Sequence, residues 1–227
     1  MKLAIFDLDN TLLAGDSDYL WGEFLIERGV VDGEWHRREN ERYYRAYKEG
    51  GLDIYEFLRF SLRALAEHPL PKLHAWRDQF VSEKIIPIML PAAQELLSWH
   101  RRQGHTLLII TATNRFITAP IATLLGVPHL IATEPALVDG RYTGDVEGVP
   151  SFQEGKVTRL IEWMGVANPT FEEAWFYSDS HNDLPLLNRV GTPVAVDPDE
   201  ALRREAKRRG WRIISLRKGA QAVDLDY

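Results

Sequence analysis

The sequence predicts an α/β protein: a parallel sheet layered with helices and interrupted after its first strand by a helical insert. Three observations lead there. Short, almost wholly apolar runs recur at residues 3–8, 106–110, 174–177, 193–196 and 211–216, as expected of strands buried on both faces of a parallel sheet. All but the first follow a stretch with helical spacing, the alternation that marks an α/β sheet. Residues 16–86 contain no such run and are instead rich in aromatic and charged side chains.

Taken in order, the first run ends in carboxylates, Asp7 and Asp9. In the insert, Leu20, Phe24 and Leu25, then Tyr43, Tyr44 and Tyr47, then Tyr55, Leu58, Leu62 and Leu65 recur at three- and four-residue intervals, the spacing of helices packed on one another. Pro91 reads as the first-turn proline of a helix reaching Arg102. Gly104, Gly126, Gly165 and Gly210 stand where a left-handed residue closes a helix before the next strand. Asp139-Gly140 separates two short extended segments, a hairpin signal.

The chain has 227 residues, 45% of them hydrophobic, enough for a sizeable core. A net charge of −6 with both signs intermixed gives no reason to expect nucleic acid or an anionic membrane as partner. The strongest basic run, residues 203–209, falls in a predicted helix whose solvated face explains it. There is no cysteine, which excludes disulfides, thiolate zinc sites and a cysteine nucleophile. The apolar stretch near the N-terminus is too short for a signal or a spanning helix, so a cytoplasmic protein is expected. The histidines form no close metal-type pair in sequence, and His181 reads as a turn residue. Residues 224–226, Asp-Leu-Asp, echo the first motif without a strand and turn around them.

Residues 7–11, Asp-Leu-Asp-Asn-Thr, put two carboxylates two residues apart at the C-terminal end of the first predicted strand, where open α/β sheets bind ligands. Side chains two apart on a strand share a face; an Asx-rich turn with solvated carboxylates is the alternative. The second core strand ends in Thr111 and the small Ala112, which let a hydroxyl and backbone N–H groups approach a phosphate oxygen. Lys156, at a helix start, brings positive charge to a phosphate or a carboxylate, although a single lysine is ordinarily solvated. Asp179 and Asp183 follow the third core strand. Four converging aspartates repel one another unless a cation or proton lies between them, and oxygen donors of this kind suit Mg²⁺.

These four motifs, Asp7-x-Asp9-x-Thr11, Thr111, Lys156, and Asp179 with Asp183, resemble in content and order those of the haloacid dehalogenase-like hydrolases, and within them the phosphoserine phosphatase-like branch. The resemblance spans most of the chain, and the insert matches the family's small helical cap in position. It implies a Rossmann-like core at residues 1–15 and 87–227, with a cap at 16–86 closing over the active site. It further implies Asp7 as nucleophile and Mg²⁺ ligand, and Asp9 as general acid and base whose backbone carbonyl helps hold the metal. Asp179 is implied as a Mg²⁺ ligand, Asp183 as a ligand or a partner behind the ligands, and Thr111 and Lys156 as grips on the transferring phosphoryl group. Asn182 matches a phosphate or substrate contact. The presence of Asp9 favours phosphate chemistry, since members lacking that carboxylate tend to be dehalogenases or other non-phosphatases. Two positions depart from the pattern: Ser178, where glycine is frequent, and Thr111, where serine is.

In phosphoserine phosphatases an acidic residue after the first motif holds the substrate ammonium and a cap arginine holds its carboxylate. Asp16 and Arg59 stand near those places, with a solvent-facing role as the alternative for each. If Asp16 does the former job an amino-bearing substrate follows, phosphoserine or histidinol phosphate, the latter needing no carboxylate clamp. The expected activity is Mg²⁺-dependent hydrolysis of a small phosphorylated metabolite. Phosphotransfer to an alcohol and non-catalytic phosphate binding are the competing classes.

Overall fold

The computed structural model describes residues 2–165 and 171–225; Asp226 of the motif echo lies outside them. In chain order the strands are β1 (Leu3–Phe6), β2 (Thr106–Asn114), β3 (His129–Val138), β4 (Arg141–Glu147), β5 (Ala174–Ser178), β6 (Thr192–Val196), β7 (Arg212–Ser215) and β8 (Val223–Asp224). They form one sheet ordered β4-β3-β2-β1-β5-β6-β7-β8. Its outermost pairs, β3–β4 and β7–β8, are antiparallel and the rest parallel. Between β1 and β2 come α1 (Ser17–Glu27), α2 (Gly33–Lys48), α3 (Ile54–Ser61), α4 (Arg63–Glu67), α5 (Leu70–Phe80) and α6 (Pro91–Arg102). The later helices are α7 (Arg115–Leu124), α8 (Glu154–Met164), α9 (Leu184–Leu187) and α10 (Glu200–Arg209). This is the α/β, Rossmann-like sheet with helices inserted after its first strand that the sequence predicts.

The two faces of the sheet explain why its strands read as unbroken apolar runs. Ala4 and Phe6 pack with Leu107, Ile109, Val194 and Val196 on one face, while Leu3 and Ile5 pack with Leu108, Ile110, Phe176 and Ala195 on the other. Alternate residues enter opposite cores, so no polar position is tolerated.

The insert's helices start where a carboxylate caps them. Asp16 accepts from the backbone N–H groups of Asp18 and Tyr19, Asp32 from that of Trp35, and Asp53 from those of Tyr55 and Glu56, satisfying donors that a helix start leaves unpaired. Trp21 packs edge-on against Phe80 at 5.2 Å and against Phe116 of α7 at 5.9 Å, tying the insert to the sheet's helical layer. The two crossings between insert and sheet are paired: Leu13 bridges Met89, and the Ala14 N–H donates to the Ile88 carbonyl at 2.8 Å.

Two expectations are corrected, and one pairing outside the metal-type reading is added. The first arm of the expected hairpin begins earlier, because β3 pairs with β2 from His129 before turning outward to meet β4; Asp139 and Gly140 take φ of 50° and 73°, as the tight turn requires. Asp224 does lie in a strand, β8, and is ion-paired with Arg212. His100 and His105 are a close pair, with Nδ1 atoms 2.8 Å apart and Tyr177 Oη 2.9 Å from His100 Nε2. Burial pushes His100 down to about 4, so the neutral ring serves as donor on one nitrogen and acceptor on the other.

In the basic run on α10, Arg208 and Arg209 pair with Glu205 and Arg204 pairs with Glu200. Among the described residues no helix is long and apolar enough to cross a membrane.

Candidate active site

The chain leaves β1 for β2 on one side and, after β4, returns to β5 on the other, so β1 is flanked by both. A sheet that reverses winding direction in this way opens a crevice at the carboxyl ends of its strands. Register decides what enters it. Phe6 pairs with Ile109 and with Tyr177, so Asp7 is level with Ile110 and Ser178, and Thr111 and Asp179 project one residue beyond.

Asp7 is 6% exposed and lies against a buried ammonium: Lys156 Nζ donates to Asp7 Oδ1 at 2.8 Å and to Asp183 Oδ2 at 2.8 Å. Lys156 reaches this point from the first turn of α8. The helix start depends on Gly155, where a Cβ would collide with the Pro150 carbonyl oxygen. The Thr11 hydroxyl stands between Asp7 Oδ2 (3.3 Å) and Asp179 Oδ1 (3.1 Å) and accepts from the Asp179 N–H at 3.1 Å. Ser178 Oγ donates to Asp183 Oδ2 at 2.7 Å. Burial pushes Asp7 up to about 7 against the pull of Lys156, with Asp183 adding to the rise. Asp179 is raised well above the carboxylate range by burial and then by Asp7 and Asp183. For Lys156 burial acts to lower the pKa, but Asp183 and Asp7 more than reverse it, so the ammonium stays charged.

Asp9 faces the insert. Its Oδ1 accepts from the Ser17 N–H at 2.6 Å, at the start of α1, and its Oδ2 from Thr113 Oγ1 at 2.8 Å and Thr111 Oγ1 at 3.5 Å. Burial and then the Asp16 charge push Asp9 up to about 6, against these donors. A carboxyl held near neutrality serves as an acid in one step and a base in the next.

Asp7, Asp9, Thr111, Ala112, Lys156 and Asp183 line one cavity, a narrow one with about 70 Å³ of free interior. Its opposite wall comes from the insert: Asp16 and Asp18, the tyrosines 19, 43, 44 and 47, and Phe57. Among the described residues that line it, Lys156 is the one cation. Asp16 thus lies on the cavity wall while capping α1. Arg59 does not: it is exposed on α3, in a separate groove with Tyr55, Leu58 and the β4 residues Gly144–Val146. Asn182 is buried beside the cavity with its amide engaged by protein partners.

Sequence reasoning missed Asp18, Thr113, Ser178 and Tyr47. Asp18 is raised well above the carboxylate range by burial and then by Asp16 and Asp9; its spacing of two from Asp16 was the available signal. Ser178, noted only as a departure, supplies a hydroxyl to Asp183. Among the described residues no three His, Asp or Glu side chains form a ready cage.

A family model of haloacid dehalogenase-like hydrolases matches residues 4–188. The chain belongs to that family. It is 44% identical over 220 residues to a protein of Neisseria meningitidis serogroup C (strain 8013) named histidinol-phosphatase, covering 95% of this chain and 99% of that one. A solved structure of a protein of unknown function from Bordetella pertussis Tohama I is similar with a TM-score of 0.87 and 44% identity, covering 94% and 98% of the two chains. A phosphoserine phosphatase solved as a phospho-aspartyl intermediate analogue shares the fold, with a TM-score of 0.66 at 21% identity over 90% of each chain.

Proposed function

We propose that this phosphatase is a Mg²⁺-dependent phosphomonoesterase that passes the phosphoryl group of a small amine-bearing ester through Asp7 to water. One observation carries this reading: Asp7, held by Lys156, faces across one cavity a wall of acidic and tyrosine side chains with no further cation. Asp7 attacks phosphorus and the ester bond breaks, with Asp9 giving its proton to the departing alkoxide. Asp9 then takes a proton from the water that cleaves the acyl phosphate, which restores Asp7 and releases phosphate. Lys156 and Thr111 hold the equatorial oxygens, and Asp183 fixes Lys156.

The donor set fits Mg²⁺. Asp7 and Asp179 present carboxylates on either side of Thr11, both raised by burial, with Asp7's charge raising Asp179 further, and the Asp9 backbone carbonyl would complete the protein donors. When bound, the cation neutralises charge on the phosphoryl group. Residues 16–86 act as the cap and residues 1–15 with 87–227 as the core.

At the far wall, Asp16 and Asp18 offer carboxyl oxygens to an ammonium or imidazolium, whose charge would draw out their ionised forms against the burial that raises both, and the tyrosines suit a ring, consistent with the name of the relative from Neisseria meningitidis. A substrate carboxylate would meet these two acids with no arginine to balance it, which favours histidinol phosphate over phosphoserine. The test is phosphate release from histidinol phosphate, phosphoserine, sugar phosphates and nucleotides with Mg²⁺ or EDTA. Metal-dependent release led by histidinol phosphate is expected; preference for phosphoserine would overturn the substrate assignment.

Asp18→Asn is expected to raise KM for the amine-bearing ester by about 10- to 100-fold, the value of a charge-assisted hydrogen bond, while changing p-nitrophenyl phosphate turnover little. Steady-state kinetics on both substrates decides it; an equal loss on both would remove Asp18 from substrate recognition.

The raised carboxyls also set a pH dependence. The folded protein keeps protons on Asp7 that the unfolded chain releases, so their stabilising contribution is present below the ordinary Asp range and is lost as pH rises through about 7. A cation must displace those protons. Mg²⁺ binding measured by calorimetry is therefore expected to weaken steadily as pH falls from about 8 to about 5. Affinity independent of pH would contradict the involvement of Asp7.

A further inference from the structure

We propose that Thr133 is a positioning residue whose single hydroxyl joins the Thr111–Thr113 loop to the segment leading into the Lys156 helix, and so sets the two grips on the phosphoryl group relative to each other. The proposal rests on the reading of the cavity as a phosphatase site and concerns how that site is assembled. Thr133 is fully buried in β3 and is not among the residues that line the cavity. Its Oγ1 donates to the Ala112 carbonyl at 2.7 Å and accepts from the Ser151 N–H at 3.1 Å. The two bonds together need a hydroxyl, which serves as donor and acceptor at once.

The register of the sheet creates the need for such a residue. Ile110 pairs with Ile131 and Asn114 with Thr133, so residues 111–113 of β2 stand opposite the single residue Ala132 of β3. The surplus bulges out of the ladder, as strands do beside active sites, and the carbonyls it frees need partners outside the ladder. For Ala112 that partner is Thr133. Held at its carbonyl end, the Ala112–Thr113 peptide presents its N–H to Thr111 Oγ1 at 3.2 Å. The Thr111 hydroxyl thus accepts from its own loop and keeps its hydrogen, which reaches only Asp9 Oδ2 at 3.5 Å, for a phosphoryl oxygen. The same peptide places Thr113, whose Oγ1 donates to Asp9 Oδ2 at 2.8 Å.

On its other side Thr133 governs the approach to Lys156. Ser151 is fully buried, and the turn it opens is tight: the Pro150 carbonyl accepts from the Phe152 N–H at 2.9 Å, the Phe152 carbonyl from the Gly155 N–H at 2.8 Å, and the Gln153 carbonyl from the Lys156 N–H at 3.1 Å. Fixing Ser151 therefore fixes the first turn of α8, from which Lys156 reaches Asp7. Glu134, next in the strand, adds a second tie between the same parts of the chain. Its carboxylate accepts from Arg115 Nε, at the start of α7 just past the loop, at 2.7 and 2.8 Å, and from Arg159 of α8 at 3.4 Å. These ion pairs are partly exposed and screened, which leaves the buried hydroxyl as the tie to test.

The test compares two substitutions that separate shape from chemistry. Thr133→Val keeps the branched shape and loses the hydroxyl; Thr133→Ser keeps the hydroxyl and loses the methyl. Well below the melting temperature, Thr133→Val is expected to lower kcat/KM by about 10- to 100-fold, the cost of leaving polar groups in the interior unpaired. The loss is expected to be equal for histidinol phosphate and p-nitrophenyl phosphate, which share the phosphoryl end, and inorganic phosphate is expected to inhibit about tenfold more weakly. Thr133→Ser is expected to stay within about threefold of the wild type on each measure. If Thr133→Val does not fold, Thr133→Cys, which keeps a weak donor in the same place, substitutes for it with an expected loss of about tenfold. Wild-type kcat/KM in Thr133→Val or Thr133→Cys, whatever the melting temperature, would overturn the proposal, as would a loss in Thr133→Ser equal to that in Thr133→Val. Either outcome would leave the phosphatase reading intact, whereas a wild type that releases no phosphate from any ester with Mg²⁺ would end that reading.

Discussion

Asp7→Asn is expected to lower phosphate release by about 10⁴-fold or more, the size of loss seen when a nucleophile is removed, while leaving the fold intact. The amide fills the same space, and Lys156 keeps Asp183 as its counter-ion at 2.7 Å, so no buried charge is stranded. Removing Asp7's charge also relieves the repulsion that raises Asp179, so the metal-free variant is expected to melt no lower than the wild type. Thermal denaturation and single-turnover phosphate release check the two halves separately. A variant that folds and still turns over at a tenth of the wild-type rate would assign the attack to another group.

Lys156→Met is expected to be harmful in a different way. It removes the one cation between two buried carboxylates, Asp7 and Asp183, each 3 to 6% exposed. Breaking such a pair by deleting one partner costs about 3 to 5 kcal/mol, because a charge is left without compensation. Urea denaturation at neutral pH is expected to show a loss of that size, and added Mg²⁺ is expected to recover part of it by supplying a cation to Asp7. Activity is expected to stay low even then, since the charge proposed to grip the phosphoryl oxygens is gone. Equal stability of wild type and variant would mean that Lys156 is not the counter-ion the geometry makes it.

The parts of this molecule that were legible in its sequence are those whose cause is local. Strands buried on both faces must be apolar throughout, so β1, β5 and β6 announced themselves. The carboxylates at the end of β1 were legible because a strand end in an α/β sheet is where ligands bind. Lys156 follows a glycine that the turn needs, and its place in the motif order singled it out.

What was not legible depends on tertiary contact. Nothing near Ser178 in sequence tells that its hydroxyl meets Asp183, and nothing near Tyr47 tells that its carbonyl meets an amide 135 residues away. β8 has two residues, too few for any periodicity. The pairing of His100 with His105 depends on how the end of α6 folds back on the start of β2. Arg59 fails for a related reason: its position in the chain suggested the cavity, but its place on α3 turns it to the hairpin groove. Asp18 was passed over because its role comes from the burial that the tyrosine wall imposes.

The most direct test of the central claim is to mix the protein with Mg²⁺ and an amine-bearing phosphate ester, quench with acid during turnover, and map the phosphoryl group by peptide mass spectrometry. Label on the peptide containing Asp7, lost in Asp7→Asn, is the expected result. Phosphate release in the wild type with no label at Asp7, or with label on another residue, would contradict the claim.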